Sequence, residues 1–308
     1  MKTQGIIILT FALMTGIISC QKEDDSELIA LEERILNAYL ENNNISVEPT
    51  ESGLYFIQET EGTGATPAMD DWVLINYDLY LIHGEQLIYT SEKEKAIEYG
   101  IYDSNLIYGP SKNPMGRNIK ALDEGLTMMK EGGKATLLFK SDLGFGKQRT
   151  GLINPYEPLK IVVELVEVIE DPVEHEKEKL SEYLATHNFS NLDTMESGLL
   201  YVEIEEGEGD SARNNFYVSI NVKGYLLDGR KFLDEEVYSF QLGQYYYEVP
   251  IGLAEGVSYM KEKGKSRLIV PSDLGYGKEG KIYYEGVGKK PIPPYSTLVY
   301  DVELLTAK

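Results

Sequence analysis

The chain has 308 residues, with 51 acidic side chains against 29 basic ones and a formal charge of −22. No Lys/Arg cluster interrupts that excess, which argues against nucleic acid and anionic lipid surfaces as partners, since both recruit proteins through cationic patches. Three scattered histidines and one cysteine give no metal-ligand spacing and no internal disulfide.

In chain order, the first element is GIIILTFALMTGIIS at 5–19, an apolar run behind Lys2 that is too short to span a bilayer comfortably. It reads as the core of a secretory signal occupying 1–19. Its ending, IISC, resembles a bacterial lipobox, which makes Cys20 the expected lipidation site and mature first residue. The QKEDD that follows resembles an export tag for the outer face of the outer membrane, and it also reads as a solvated acidic linker. The expected location is the cell envelope, lipid-anchored to the outer membrane and either surface-exposed or periplasmic. Contact with the membrane is through the lipid anchor alone.

Residues 20–47 read as acidic linker and helix: DSELIALEERILNAYLEN at 25–42 spaces its apolar residues helically, with Asp25 or Ser26 as cap. A second amphipathic helix is expected at 173–186, after the Asp171-Pro172 cap. The text then repeats. ESGLYFIQETEGTG (51–64) and WVLINYDLYL (72–81) match ESGLLYVEIEEGEG (196–209) and YVSINVKGYL (217–226) at an offset of 145. ALDEGLTMMKEGGKATLLFKSDLGFGK (121–147) matches GLAEGVSYMKEKGKSRLIVPSDLGYGK (252–278) at 131, so fourteen extra residues lie between about Ser91 and Ile119 of the first copy. The second copy carries eight extra residues before PIPP (291–294). Two copies that differ by insertions are two homologous domains with variable loops: 48–170, and 171–308 with its leading helix.

Alternation in WVLINYDLYL, YVSINVKGYLL, KATLLF, SRLIV and LVYDVELL predicts half-buried strands, with one short helix per copy at 120–129 and 252–260. The expected class is α+β, an antiparallel sheet folded over that helix. The EGTG and EGEG stretches read as hairpin or strand-entry turns, and EHEKEKLSEY (174–183) as a helix with a solvated charged face.

The ordered motifs DGRKF (228–232), EGVSYMKEKG (255–264), PSDLGYG (271–277) and PIPPYSTLVYDVELL (291–305) resemble the FKBP-type peptidyl-prolyl cis-trans isomerases. The likeness is fuller over 198–308 than over 53–169. It implies two FKBP-like domains, each an antiparallel sheet wrapped around a short helix and each preceded by an amphipathic helix. It also implies a reaction that needs no cofactor and no metal, on proline-containing polypeptides. Carried over by position, Tyr276 is the catalytic hydroxyl, and Phe232, Tyr238, Phe240, Leu253, Ile292 and Tyr300 bind substrate. Val222 replaces a family tyrosine.

Two departures bear on activity. Leu233 stands where the family has an aspartate, and Asp234 would take that role only through a bulge; otherwise it is a surface acid. YYYE at 245–248 rims the cleft as an aromatic lip, or forms a strand with alternate tyrosines buried. In the first domain the counterparts are Tyr77, Leu122, Phe145 and Ile153. Phe145 replaces the hydroxyl donor, so that site is degenerate and the domain is expected to be inactive. The leading expectation is therefore a prolyl isomerase and folding helper for exported proteins, acting mainly through the second domain. The alternatives are a non-catalytic peptide- or protein-binding module that keeps the fold, and a surface scaffold using the inserts 92–118 and 279–290 as contact loops.

Overall fold

The computed structural model describes residues 25–244, 249–281 and 291–308. The signal region, Cys20, the YYYE stretch and most of the 279–290 insert lie outside the described residues.

The first domain begins with helix α1 (Asp25–Asn42) and continues through β1 (Tyr55–Thr60), β2 (Trp72–Leu81), β3 (Gln86–Thr90), α2 (Lys93–Glu98) and β4 (Ser111–Pro114). It closes with α3 (Lys120–Thr127), β5 (Lys134–Phe139) and β6 (Leu159–Ile169). The second domain repeats the plan. It runs through α4 (Pro172–His187), β7 (Leu192–Thr194), β8 (Leu200–Glu205), β9 (Tyr217–Leu226), β10 (Lys231–Gln241), α5 (Ile251–Ser258), β11 (Lys265–Val270) and β12 (Leu298–Ala307). Each domain is one six-stranded sheet, ordered β1-β5-β6-β2-β3 with β4 also on β2, and β10-β9-β12-β11-β8-β7. All the pairings are antiparallel.

Successive strand residues face opposite sides of a sheet, and here both sides are covered. In the second domain Leu268 joins the core around α5, while its neighbour Ile269 packs under Leu180, Tyr183 and Leu184 of α4. Leu137 and Leu138 divide in the same way between the α3 side and α1. The leading helices thus roof the outer face of their own sheets. The short helices sit close on the sheet because they carry glycine where they meet it: a Cβ on Gly256 would come 2.4 Å from Leu268, and one on Gly125 would come 2.7 Å from Leu137.

The EGTG and EGEG stretches are not hairpin turns. They follow β1 and β8 and cross the turn after the short helix, where Gly64 N and Gly209 N donate to the Glu131 and Glu262 carbonyls. A Cβ on Gly62 would lie 2.2 Å from the Lys130 carbonyl oxygen, which explains the glycine.

The first-copy insert interrupts a strand. β10 runs along β9 as a single element, whereas its counterpart is split into β3 and β4, both paired with β2. The chain from 91 to 110 is extruded between them and reaches the second domain. Trp72 packs edge-on against Tyr295 at 5.4 Å, and Lys112 Nζ donates to the Tyr295 carbonyl at 3.2 Å.

Candidate active site

The predicted binding residues of the second domain fall into one apolar cluster. Phe232, Phe240, Leu253, Ile292 and Tyr300 are buried in it, with Tyr238, Tyr276 and Leu233 half-buried at its edge. Phe232 meets Tyr300 edge-to-face at 5.6 Å between centroids, an arrangement favoured by the ring quadrupoles. Tyr238 and Phe240 stand 5.9 Å apart. The Phe232 ring has room because β9 carries Gly224 opposite it, where a Cβ would come within 2.6 Å of the ring. Val222 lies fully inside this core.

A bulge does occur on β10, but one residue too early to recruit Asp234. Register with β9 shifts between Lys231 and Leu233, and both Phe232 and Leu233 approach Gly224. Leu233 therefore takes the aspartate's place on the core side, and the wall there is apolar. Asp234 is exposed, and its ion pair with Lys231 holds its carboxyl below the usual range.

Tyr276 sits in a tight turn between Gly275 and Gly277, the latter at φ +60. Two supports around it were not read from the sequence. The buried side chain of Lys281 (2% exposed) places its ammonium 5.3 Å from the Tyr276 ring centroid. Lys281 is fixed there by paired main-chain hydrogen bonds with Ile292, at 2.8 and 2.7 Å. A cation over the ring face draws on its electron density, which strengthens the phenol as a hydrogen-bond donor. The second support is Glu176 of α4. Its carboxylate accepts from Ser272 N at 2.8 Å, from Ser272 Oγ, and from Thr297 Oγ1 at 2.6 Å. It thereby ties down the turn before Tyr276 and the start of β12. The charged helix is thus not solvated all round: His175, Glu176 and Lys179 line a cavity of about 450 Å³ between the domains, together with Lys112, Glu167 and Arg230. What distinguishes Glu176 from its acidic neighbours is the demand of the Ser272 amide and of the Ser272 and Thr297 hydroxyls for an acceptor.

In the first domain Leu122 and Ile153 are buried in the core, and Tyr77 and Phe145 are half-buried against it, so the same positions converge. The polar complement differs. Tyr77 stacks on Tyr89 at 4.7 Å, and burial drives its phenol well above the ordinary range. Thr150 takes the place of Lys281, making the same paired main-chain bonds to Ile153, at 3.0 and 2.9 Å. The hydroxyl donor and its cation are therefore both missing. The helix-to-turn tether persists, with Glu32 of α1 accepting from Ser141 N.

Comparison with known proteins places this arrangement. The model of the FKBP-type peptidyl-prolyl cis-trans isomerase family matches residues 64–166 and 209–305. The FKBP-type peptidyl-prolyl cis-trans isomerase FkpA of Escherichia coli is 39% identical over 119 residues, covering 37% of this chain and 40% of that protein. An FK506-binding protein of Neisseria meningitidis is 38% identical over 112 residues, 35% of this chain and 94% of that protein. The chain thus spans about two fifths of the FkpA it matches. Among solved structures, E. coli FkpA aligns with 45% of this chain and 61% of its own, at 34% identity and a TM-score of 0.38. The three FKBP domains of wheat FKBP73 align with 84% of this chain and 96% of theirs, at 20% identity and a TM-score of 0.32. With two family matches that together take in most of its length, the chain belongs to the FKBP-type peptidyl-prolyl cis-trans isomerase family.

Proposed function

We propose that the chain accelerates cis–trans exchange at X–Pro bonds of exported proteins, chiefly through its second domain. It acts as a folding helper held in the cell envelope by a lipid on Cys20, at the outer membrane, facing the surface or the periplasm. The observation that carries the reading is the cluster of Phe232, Phe240, Leu253, Ile292 and Tyr300 with Tyr276 at its edge.

Rotation about X–Pro is slow because the planar amide resists twisting, with a barrier of about 18–20 kcal/mol. The twisted amide has less charge separation than the planar one. An apolar pocket that admits the proline ring and sheds its water therefore favours the twisted form. The aromatic pair Phe232 and Tyr300 supplies that environment, and Leu233 extends it. The Tyr276 hydroxyl donates to the substrate carbonyl, made a stronger donor by Lys281. Bonds that tighten as the amide twists are the ones that raise the rate. No covalent intermediate is involved.

The test is NMR exchange spectroscopy on a capped Ala-Leu-Pro-Phe peptide with catalytic amounts of the chain from residue 21 onward. Acceleration is expected, falling about tenfold in Tyr276→Phe, the worth of one hydrogen bond. Phe145→Ala in the first domain should leave the rate unchanged. Binding of the peptide without acceleration would make the chain a peptide-holding module. For the first domain we infer that second role from the start, because Phe145 and Thr150 replace both members of the donor pair.

A further inference from the structure

The extruded segment of the first domain packs against the apolar cluster of the second domain, the cluster that includes the site residues. Ile107 is half-buried against the apolar cluster that holds the pocket residues, whose other half-buried members include Leu233, Tyr238 and Tyr276. The next residues are fixed by main-chain contacts. Arg230 Nη1 donates to the Pro110 carbonyl at 3.0 Å and to that of Tyr108 at 3.5 Å, while its Nε is held by Asp228 at 2.7 Å. Gly109, at φ +116, passes so close that a Cβ would lie 3.0 Å from Arg230 Nη1. Two of the places where the first domain touches the second adjoin the pocket residues in sequence: Arg230 lies two residues before Phe232, and Tyr295 lies three after Ile292.

We propose that the 101–110 segment of the first domain forms one wall of the second domain's cleft, and that Ile107 selects substrates with an apolar residue beside the proline. The degenerate domain then contributes to recognition through the very insertion that broke its own strand. Ile107 adds apolar surface on the side where Leu233 has already replaced an acid, so the cleft disfavours a charged neighbour of the proline. The consequence for substrates rests on the isomerase reading, whereas the wall itself does not.

The test measures binding as well as rate. Capped Ala-Leu-Pro-Phe and Ala-Glu-Pro-Phe are titrated into the chain from residue 21 onward, following the amide shifts of Phe232 and Tyr276. Ile107→Ser is expected to weaken the leucine peptide about tenfold, the scale of a lost apolar contact in a pocket, and to leave the glutamate peptide unchanged. Ile107→Leu should bind as the parent does. Gly109→Val, which displaces the segment while keeping Ile107, should reproduce the loss. Unchanged affinities in Ile107→Ser and Gly109→Val would overturn the proposal and reduce the segment to a strap between domains. Tighter binding would also overturn it, because the segment would then be a plug. Binding that responds to Ile107 without any rate acceleration would sink the isomerase reading and keep the wall. A parent chain that binds neither peptide would sink both.

Discussion

The two domains share a scaffold, and three of their differences lie near the site. Their cores correspond position by position, down to the glycines of α3 and α5 under Leu137 and Leu268. The carboxylates of Glu32 and Glu176 tether equivalent turns from equivalent helices. Those three are Phe145 for Tyr276, Thr150 for Lys281, and a strand broken at 91–110 where β10 runs through. Packing constrains every core position at once, since a change of one methylene is felt there. A hydroxyl, an ammonium or a loop can be lost without unfolding anything. The comparison separates what the fold needs from what the chemistry uses.

The strongest way to break that separation is through the core. Leu268→Ala should cost the second domain about 2–5 kcal/mol, and Leu137→Ala the first domain a similar amount, because each side chain is fully buried against a helix glycine. Hydrogen exchange resolved by domain should show each loss confined to its own sheet. Spread of both losses across the whole chain would mean that the domains fold as one unit.

The tether comes next. Glu176→Leu strands the amide and hydroxyl of Ser272 and the hydroxyl of Thr297, both residues being almost fully buried. Unsatisfied buried groups cost about 1–3 kcal/mol. The second domain should lose that much in thermal unfolding. Glu32→Leu should cost the first domain less, since among the described residues Glu32 accepts from Ser141 N alone. Equal effects would show that the extra bonds to Ser272 Oγ and Thr297 contribute nothing.

A smaller effect sharpens the chemical difference. Lys281→Met removes the cation over Tyr276, an interaction worth about 1 kcal/mol when desolvated. The expected result is a roughly fivefold lower kcat with KM little changed, and partial rescue by Lys281→Arg. The Tyr276 phenol, followed by its ring-carbon NMR signal, should ionise at higher pH in Lys281→Met. If that titration does not move, Lys281 only fills space.

How much of this was legible follows the same division. Strands written with period two, one short helix per copy and a phrase repeated at two offsets were enough for the fold, because burial enforces those patterns. The pocket residues were legible through motifs that the backbone carries. Other features were not. The bulge that turns Leu233 inward depends on register with β9, which no single strand encodes. Glu176 looks like any acid in EHEKEKLSEY until the Ser272 amide is placed beside it. Ile107 reads as loop because its partner lies in the other domain. The long-range contacts carry the differences between the copies, while the local pattern carries what they share.

The last test concerns the seam between the domains. His175 on α4 lies between Glu167 of the first domain, 3.3 Å from its Nε2 but not aligned for a hydrogen bond, and the cations Lys112 and Lys179. Burial, then the Lys112 charge, pull its proton affinity below the ordinary histidine value, with Glu167 opposing. Lys112 is itself lowered by burial. A histidine with a depressed native value contributes stability that is complete above about pH 6.5, its ordinary value. That stability is lost as the pH falls toward the native value, because the separated state takes up the proton more readily. Acidification from pH 7.5 to 5 should therefore loosen the contact between the domains, and His175→Gln should flatten the response. Domain-resolved hydrogen exchange at Lys112 and Tyr295 would register it. A pH response that persists in His175→Gln would assign the effect to the carboxylates instead. A loosened seam would also release the 101–110 segment, so substrate selection by Ile107 should weaken over the same pH range.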